Sequence, residues 1–278
     1  RPMDRAFTYA LAYEVDQLLA GQTAKQRLQA LARAQQLKAR VEQVLGRSLQ
    51  AEGDLVFLYQ LAEGSLKPNG EPRVQEYLSA LERYSVQLAP LFGQSTLDLK
   101  NRDGVAFEVV DYFASLHVKG GSQVVGEMVT VTGRPLSVFV PELVETMKRL
   151  LPLVLNTNAT HRSTLRLDGP RKSLMEDFNR LQEWAIADQI AGQMGYRPDW
   201  AVTALGAINT LRPIVSKIEG RQVSMDNSLL FSIEVALISS DRSGQYDLQQ
   251  RAALLEGIAA KLPQTAKAMG ITLGEFRQ

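Results

Sequence analysis

Apolar residues recur every three or four positions through most of this chain, which is the spacing of an amphipathic α-helix. The clearest instance precedes Pro90, where the apolar positions are Val74, Tyr77, Leu78, Leu81, Tyr84 and Leu88. This spacing, with the caps described next, predicts further helices over about residues 6–20, 23–45, 54–64, 141–154, 173–192, 199–211 and 247–262. Most of the chain is therefore expected to be helical.

Short-range signals mark where several of these helices start and stop. Four residue pairs have the spacing of a capping box: Thr23 with Gln26, Ser173 with Glu176, Asp247 with Gln250, and Thr272 with Glu275. Asp54 and Asp199 are further candidate N-caps. Because proline cannot donate a backbone hydrogen bond, Pro141 is expected to begin one helix, and Pro213 and Pro263 to end two others.

Residues 95–140 do not follow the helical spacing and are predicted to form a small antiparallel sheet. Within residues 129–140, alternate positions are Val or Leu, and Gly133, Arg134 and Pro135 separate the two runs as turn residues. Residues 116–118 and 124–125 flank a second turn, and residues 105–110 are a further candidate strand. Three or four such strands would form a meander whose apolar face packs against neighbouring helices.

Residues 229–238, LLFSIEVALI, fit both a strand and a buried helix. Alternate positions are apolar, but Asp226 could cap a helix and the flanking segments are helical, so the helix is favoured. The predicted fold class is α+β and predominantly α-helical, with helical N-terminal and C-terminal segments around the β-meander. Residues 1–92 are expected to form a helical domain, and residues 93–278 the sheet with a C-terminal helical bundle.

Composition restricts the class of protein more than it indicates a function. The 278 residues are 45% hydrophobic and 22% charged, which is typical of a folded globular protein. A net charge of +1 implies no particular partner, and the lack of cysteine excludes disulfides and thiolate chemistry. No apolar run is long enough for a membrane span. A cytoplasmic location is expected, although an export signal removed from the chain stays an open alternative.

Residues that could carry catalysis or hold a metal are few and scattered. His117 lies in a predicted strand and His161 in a basic loop, and neither belongs to a metal-binding or catalytic motif. Glycine-rich phosphate loops and the nucleophile-elbow spacing do not occur. Glu142 and Glu145 are interpreted as first-turn residues of a helix, where carboxylates oppose the helix dipole. No cofactor and no metal are predicted, and an enzyme is less expected than a binding protein.

Two basic clusters depart from this ordinary composition. Residues 25–47 contain six basic residues and one acidic residue, and Arg33, Arg40 and Arg47 are spaced by seven, so they form a stripe on one helix. The second cluster precedes a predicted helix start, and its candidate anion-binding residues are Arg162, Arg166, Arg171, Lys172 and Ser173. Each cluster could contact phosphates, and each could equally be an ordinary solvated surface.

The favoured hypothesis is a non-enzymatic interaction or scaffold protein, an assembly component that engages an anionic partner through these clusters. A protein partner or a homo-oligomer is expected, and nucleic acid is a possible partner. The alternative hypothesis is a nucleic-acid-binding or DNA-maintenance protein without sequence preference, because no recognition motif accompanies the basic residues. A third hypothesis is an enzyme that depends on carboxylates or serine.

Overall fold

The computed structural model describes residues 23–50, 53–119, 133–157 and 171–278, and their regular structure is entirely helical. Between residues 23 and 119, the described residues form four α-helices: α1 (Ala24–Leu45), α2 (Gly53–Ser65), α3 (Gly70–Gln87) and α4 (Val105–Lys119). A short 3-10 helix, Ala89–Phe92, follows α3. The later helices are α5 (Leu136–Thr157), α6 (Arg171–Gln193), α7 (Trp200–Glu219), α8 (Leu229–Ser239), α9 (Leu248–Ala268) and α10 (Leu273–Phe276).

The predicted α+β class and its β-meander are wrong, because two of these helices occupy the predicted sheet. Residues 105–110 and 116–118 belong to α4, whose most buried positions follow helical spacing: Ala106, Val109, Val110, Phe113, Ala114 and Leu116. Residues 136–140 belong to α5, where Val138 is exposed while Phe139 and Val140 are buried. Residues 124–125 and 129–132 lie outside the described residues. Alternation over five residues is too short to exclude the 3.6-residue period that the longer segment follows.

Prolines proved to be poor markers of helix ends. Pro141 and Pro152 lie within α5, Pro213 within α7 and Pro263 within α9, although three of the four were predicted boundaries. Each removes a backbone hydrogen bond from its helix, at a cost of about 3 kcal/mol in an unsupported helix. Neighbouring side chains such as Val140 are buried, so tertiary packing offsets that loss.

Several helix termini form as their sequences predict. Thr23 and Thr272 each make both hydrogen bonds of a capping box, and Asp247 accepts from the N–H groups of residues 249 and 250. Gly46 ends α1 in the left-handed conformation. The favoured helix over residues 229–238 is confirmed as α8, but its cap is Ser228 rather than Asp226. The predicted helix over residues 6–20 lies outside the described part of the chain.

The chain divides into two compact units, one of residues 1–129 and 135–140 and one of residues 130–134 and 141–278. In the first, α3 packs against α2 and α4, around buried residues that include Leu58, Leu78, Tyr84 and Phe113. In the second, α7 is central and packs against α6, α8 and α9. The predicted domain boundary at residue 92 stays a prediction.

Candidate functional site

Arg33 and Arg40 of the predicted stripe lie on α1, Arg47 follows the residue that ends it, and each arginine contacts a carboxylate from outside α1. Arg40 donates from both terminal nitrogens to the two carboxylate oxygens of Glu82 on α3, at 2.7 and 2.6 Å. Arg33 pairs with Glu71, which is also on α3, and its Nε donates to the hydroxyl of Ser65 at 3.0 Å. These part-buried pairs connect α1 to its neighbours, and an external phosphate would have to compete with a carboxylate for each guanidinium.

Arg47 belongs to a charge network centred on Asp54, whose side chain is 6% exposed. Asp54 accepts from Arg47 and from the backbone N–H of Gln50 at 2.8 Å, and Arg102 lies 3.5 Å away. Burial alone would raise the pKa of Asp54, but these hydrogen bonds and the two positive charges outweigh burial and lower it. Asp54 was predicted as a helix cap. It lies instead in the first turn of α2, where its ionised carboxylate pairs with arginines of the same unit.

The spacing of two glutamates in the sequence could have indicated the acidic partners of the stripe. Glu71 and Glu82 are eleven residues apart, which is close to three helical turns, so they share one face of α3. A basic stripe on one helix and an acidic face on another predict an internal charge match as well as an external anion site.

The second basic cluster is only partly within the described chain. Arg162 and Arg166 lie outside it, as does His161. Arg171, Lys172 and Ser173 form the first turn of α6, which begins two residues before the predicted cap at Ser173. Whether the two clusters form one anion-binding surface therefore stays a prediction, and the hypothesis of an anionic or nucleic-acid partner now depends mainly on residues 162–172.

His117, predicted in a strand, packs on α4 against α3. Its Nδ1 lies 3.3 Å from the hydroxyl of Tyr84, and its Nε2 lies 3.4 Å from Glu76. Burial and the positive charge of Arg83 lower the pKa of His117, while Glu76 opposes them only in part. This environment favours a neutral imidazole in a helix interface, which is a structural position.

The predicted first-turn carboxylates of α5 are in fact inside that helix. Glu142 pairs with Arg134, and Glu145 pairs with Lys148 at 2.7 Å. In the ranges that the structure describes, no three His, Asp or Glu side chains are grouped so that they could hold a metal ion. None of the described helices has both the length and the apolar character required to cross a membrane.

Helix α8 carries an apolar surface that the sequence did not single out. Leu229, Ile233 and Leu237 are four residues apart and 78%, 46% and 47% exposed. Glu234, the charged residue of α8, is instead buried and pairs with Arg251 of α9 at 2.9 Å. This helix therefore reverses the usual arrangement, with its charge inside and an aliphatic ridge outside. We call Leu229, Ile233 and Leu237 the α8 ridge.

No protein-family model, curated protein or solved structure matches this chain.

Proposed function

We propose that this protein is a non-catalytic interaction protein that self-associates by packing the α8 ridge of one copy against the α8 ridge of another. The observation that carries the proposal is the ridge itself, three large aliphatic side chains on one helix face. Surface aliphatic residues are common singly, whereas an aligned set on one helix is typical of an interaction surface.

The chemistry of the ridge favours a second copy as its occupant. The other exposed residues of α8 and its C-cap, Ala236 and Ser240, are small and uncharged, so the exposed face of α8 itself brings no like charges together in a symmetric pair. Residues four apart form the ridges that interdigitate in the commonest class of helix packing, with axes crossing at about −50°. The same surface can therefore serve both copies in an isologous contact.

The expected affinity is modest. Removing the remaining exposed area of each ridge side chain from water contributes roughly 1–2 kcal/mol. A helix face of this length is smaller than the ~800 Å² per partner of a standard stable interface. After the loss of translational and rotational freedom, the dissociation constant is expected to be roughly micromolar or weaker.

Sedimentation equilibrium over a range of concentrations tests the proposal. The native chain is expected to dimerise with rising concentration, and Ile233→Glu is expected to remain monomeric because it would bury a carboxylate in the contact. Val86→Glu is the matched control, since Val86 is a β-branched residue that is 55% exposed on α3. A native chain that is monomeric at every concentration, or equal self-association of both variants, would contradict the proposal.

A further inference from the structure

The first compact unit contains a cleft of about 510 Å³ between α2, α3 and α4. This volume is within the range of sites that hold small organic ligands. Its apolar walls include Phe57 from α2, Val74 from α3 and Phe107 from α4. The guanidinium of Arg102 lies 4.1 Å from the ring centre of Phe57 and 5.5 Å from that of Phe107, so it is within cation–π distance of both rings.

Part of the cleft wall is formed by a close approach of two backbone segments. Gly64 and Gly70 both line the cleft, at the end of α2 and the start of α3. A Cβ atom on Gly70 would lie 2.0 Å from the carbonyl oxygen of Gly64. Only glycine allows this contact, so the shape of this part of the wall is set by the fold before any ligand arrives.

The polar groups inside the cleft centre on Asp111 of α4. The Tyr77 hydroxyl donates a short hydrogen bond to Oδ1 of Asp111, and the Ser115 hydroxyl lies 3.5 Å from the same oxygen. Burial, followed by the charge of Asp111, raises the pKa of Tyr77 far above its ordinary value, so the hydroxyl keeps its proton. Because both contacts use Oδ1, Oδ2 can accept a hydrogen bond from a ligand.

The exposed side of the cleft, its mouth, carries two basic side chains that no carboxylate of the described residues neutralises. Lys67 and Arg73 line the cleft and are exposed, and neither pairs with a carboxylate within the described ranges. They differ in this respect from Arg33, Arg40 and Arg47, which are all paired. Arg102 is partly neutralised by Asp54, 3.5 Å away, so the excess positive charge of the cleft lies at its mouth.

We infer that this cleft is a binding site for a small organic anion with an aromatic or acyl body. The acidic group would lie between Lys67 and Arg73, where it keeps contact with water and gains two opposite charges. The apolar body would pack against Phe57, Val74 and Phe107, and a hydroxyl or amide of the ligand would donate to Asp111. This site is in the first compact unit and does not depend on self-association through α8.

Isothermal titration calorimetry with matched probes tests the inference. The probes are 4-phenylbutanoate, phenyl phosphate and the neutral 4-phenylbutanamide, which distinguish a carboxylate from a phosphate and an anion from its uncharged analogue. The better anion is expected to bind about five- to tenfold more tightly than the amide, since two partly exposed charge contacts contribute roughly 1 kcal/mol together. Adding salt should reduce this preference.

Two double variants separate the cleft from general positive charge. Lys67→Glu with Arg73→Glu is expected to remove the preference for the anion. Lys261→Glu with Lys267→Glu makes the same change in net charge on exposed residues of α9 and should leave binding unchanged. A third variant, Leu61→Trp, adds a ring to a lining residue and should abolish binding of both anion and amide while the helical circular dichroism is retained.

The outcomes are decisive in either direction. Loss of the anion preference in the first double variant alone supports the inference. No heat of binding from any probe at millimolar concentration, equal binding of anion and amide, or equal effects of the two double variants would overturn it. Ile233→Glu should bind the probes as the native chain does, so failure here and failure of the self-association proposal are separate results.

Discussion

At the scale of single residues, the structure depends on a few positions where a side chain or its absence meets a specific constraint. Residue 70 has to be glycine because its backbone lies close to the carbonyl oxygen of Gly64. Asp54 is held by the positive charges of Arg47 and Arg102. His117 is kept neutral by burial between α3 and α4. None of these constraints can be recognised from residue type alone, because each depends on where the atoms of another residue lie in the folded chain.

Gly70→Ala is expected to destabilise the first unit by about 1–3 kcal/mol, because the added methyl group meets the Gly64 carbonyl and the backbone has to move. Gly257→Ala is the matched control. A Cβ atom there meets nothing within 4 Å in the interior of α9, so the change should stabilise by up to about 1 kcal/mol through helix propensity. Urea unfolding measures the change in stability of both variants, and equal effects would contradict a constraint on residue 70 from the Gly64 carbonyl.

His117 predicts a loss of stability in mild acid. Its pKa in the folded chain lies below the ordinary value of 6.5, so the unfolded chain binds a proton more readily. The resulting stabilisation is fully present above pH 6.5 and decreases as the pH falls through 6.5 towards the folded-state pKa, by up to about 1.4 kcal/mol per pH unit. Unfolding free energies at about pH 8 and about pH 5.5 should differ more for the native chain than for His117→Gln.

The carboxylates whose pKa is lowered, such as Asp54, titrate below this pH window and do not contribute to the difference. If His117→Gln shows the same pH dependence as the native chain, the histidine is not the responsible group.

At the scale of elements, helices are capped from neighbouring helices as well as from their own sequence. Asp199 precedes α7 as predicted, but it adopts a left-handed conformation and makes no capping hydrogen bond. Asp188 of α6 instead accepts from the backbone N–H of Ala201 at 2.8 Å, in the first turn of α7. Arg149 of α5 contacts the carboxylates of both Asp188 and Asp199, so α5, α6 and α7 meet where α7 begins.

The two carboxylates should therefore differ in their contribution to stability. Asp188→Asn is expected to cost about 1–3 kcal/mol, because it weakens the bonds of a buried carboxylate to Ala201 and Arg149. Asp199→Asn is expected to cost less than about 1 kcal/mol, since that carboxylate is half exposed and Asn tolerates the left-handed conformation. Thermal unfolding measures both, and an equal or reversed order would show that Asp199 is the more important carboxylate.

At the scale of the whole molecule, arginines expected to face an external partner pair internally, and an apolar segment expected to be buried is partly exposed. The arginines of the predicted stripe, Arg33, Arg40 and Arg47, pair internally with Glu71, Glu82 and Asp54. The segment over residues 229–238, expected to be buried, presents the α8 ridge to solvent. The self-association experiment and the cleft titration address different units and different chemistry, so the two proposals can succeed or fail independently.

The predicted features that formed correctly depend on residues close together in the chain. Helical spacing over long segments placed α1 and α3, and the capping residues at Thr23, Asp247 and Thr272 formed as predicted. The cleft and the α8 ridge could not be predicted in the same way. A cleft forms from three helices whose packing no single segment specifies, and a helix with apolar residues on several faces does not reveal which face will be covered.

By itself, the sequence determined that most of this chain is helical and where several helices begin, since hydrogen bonds and periodicity within a few residues decide both. Tertiary structure decided that residues 105–119 and 136–140 are helices rather than strands, and that prolines such as Pro141 lie inside helices. It also decided that the arginines of α1 meet carboxylates. These outcomes depend on burial and charge supplied by distant segments, and that long-range packing outweighs the local preference of a short stretch.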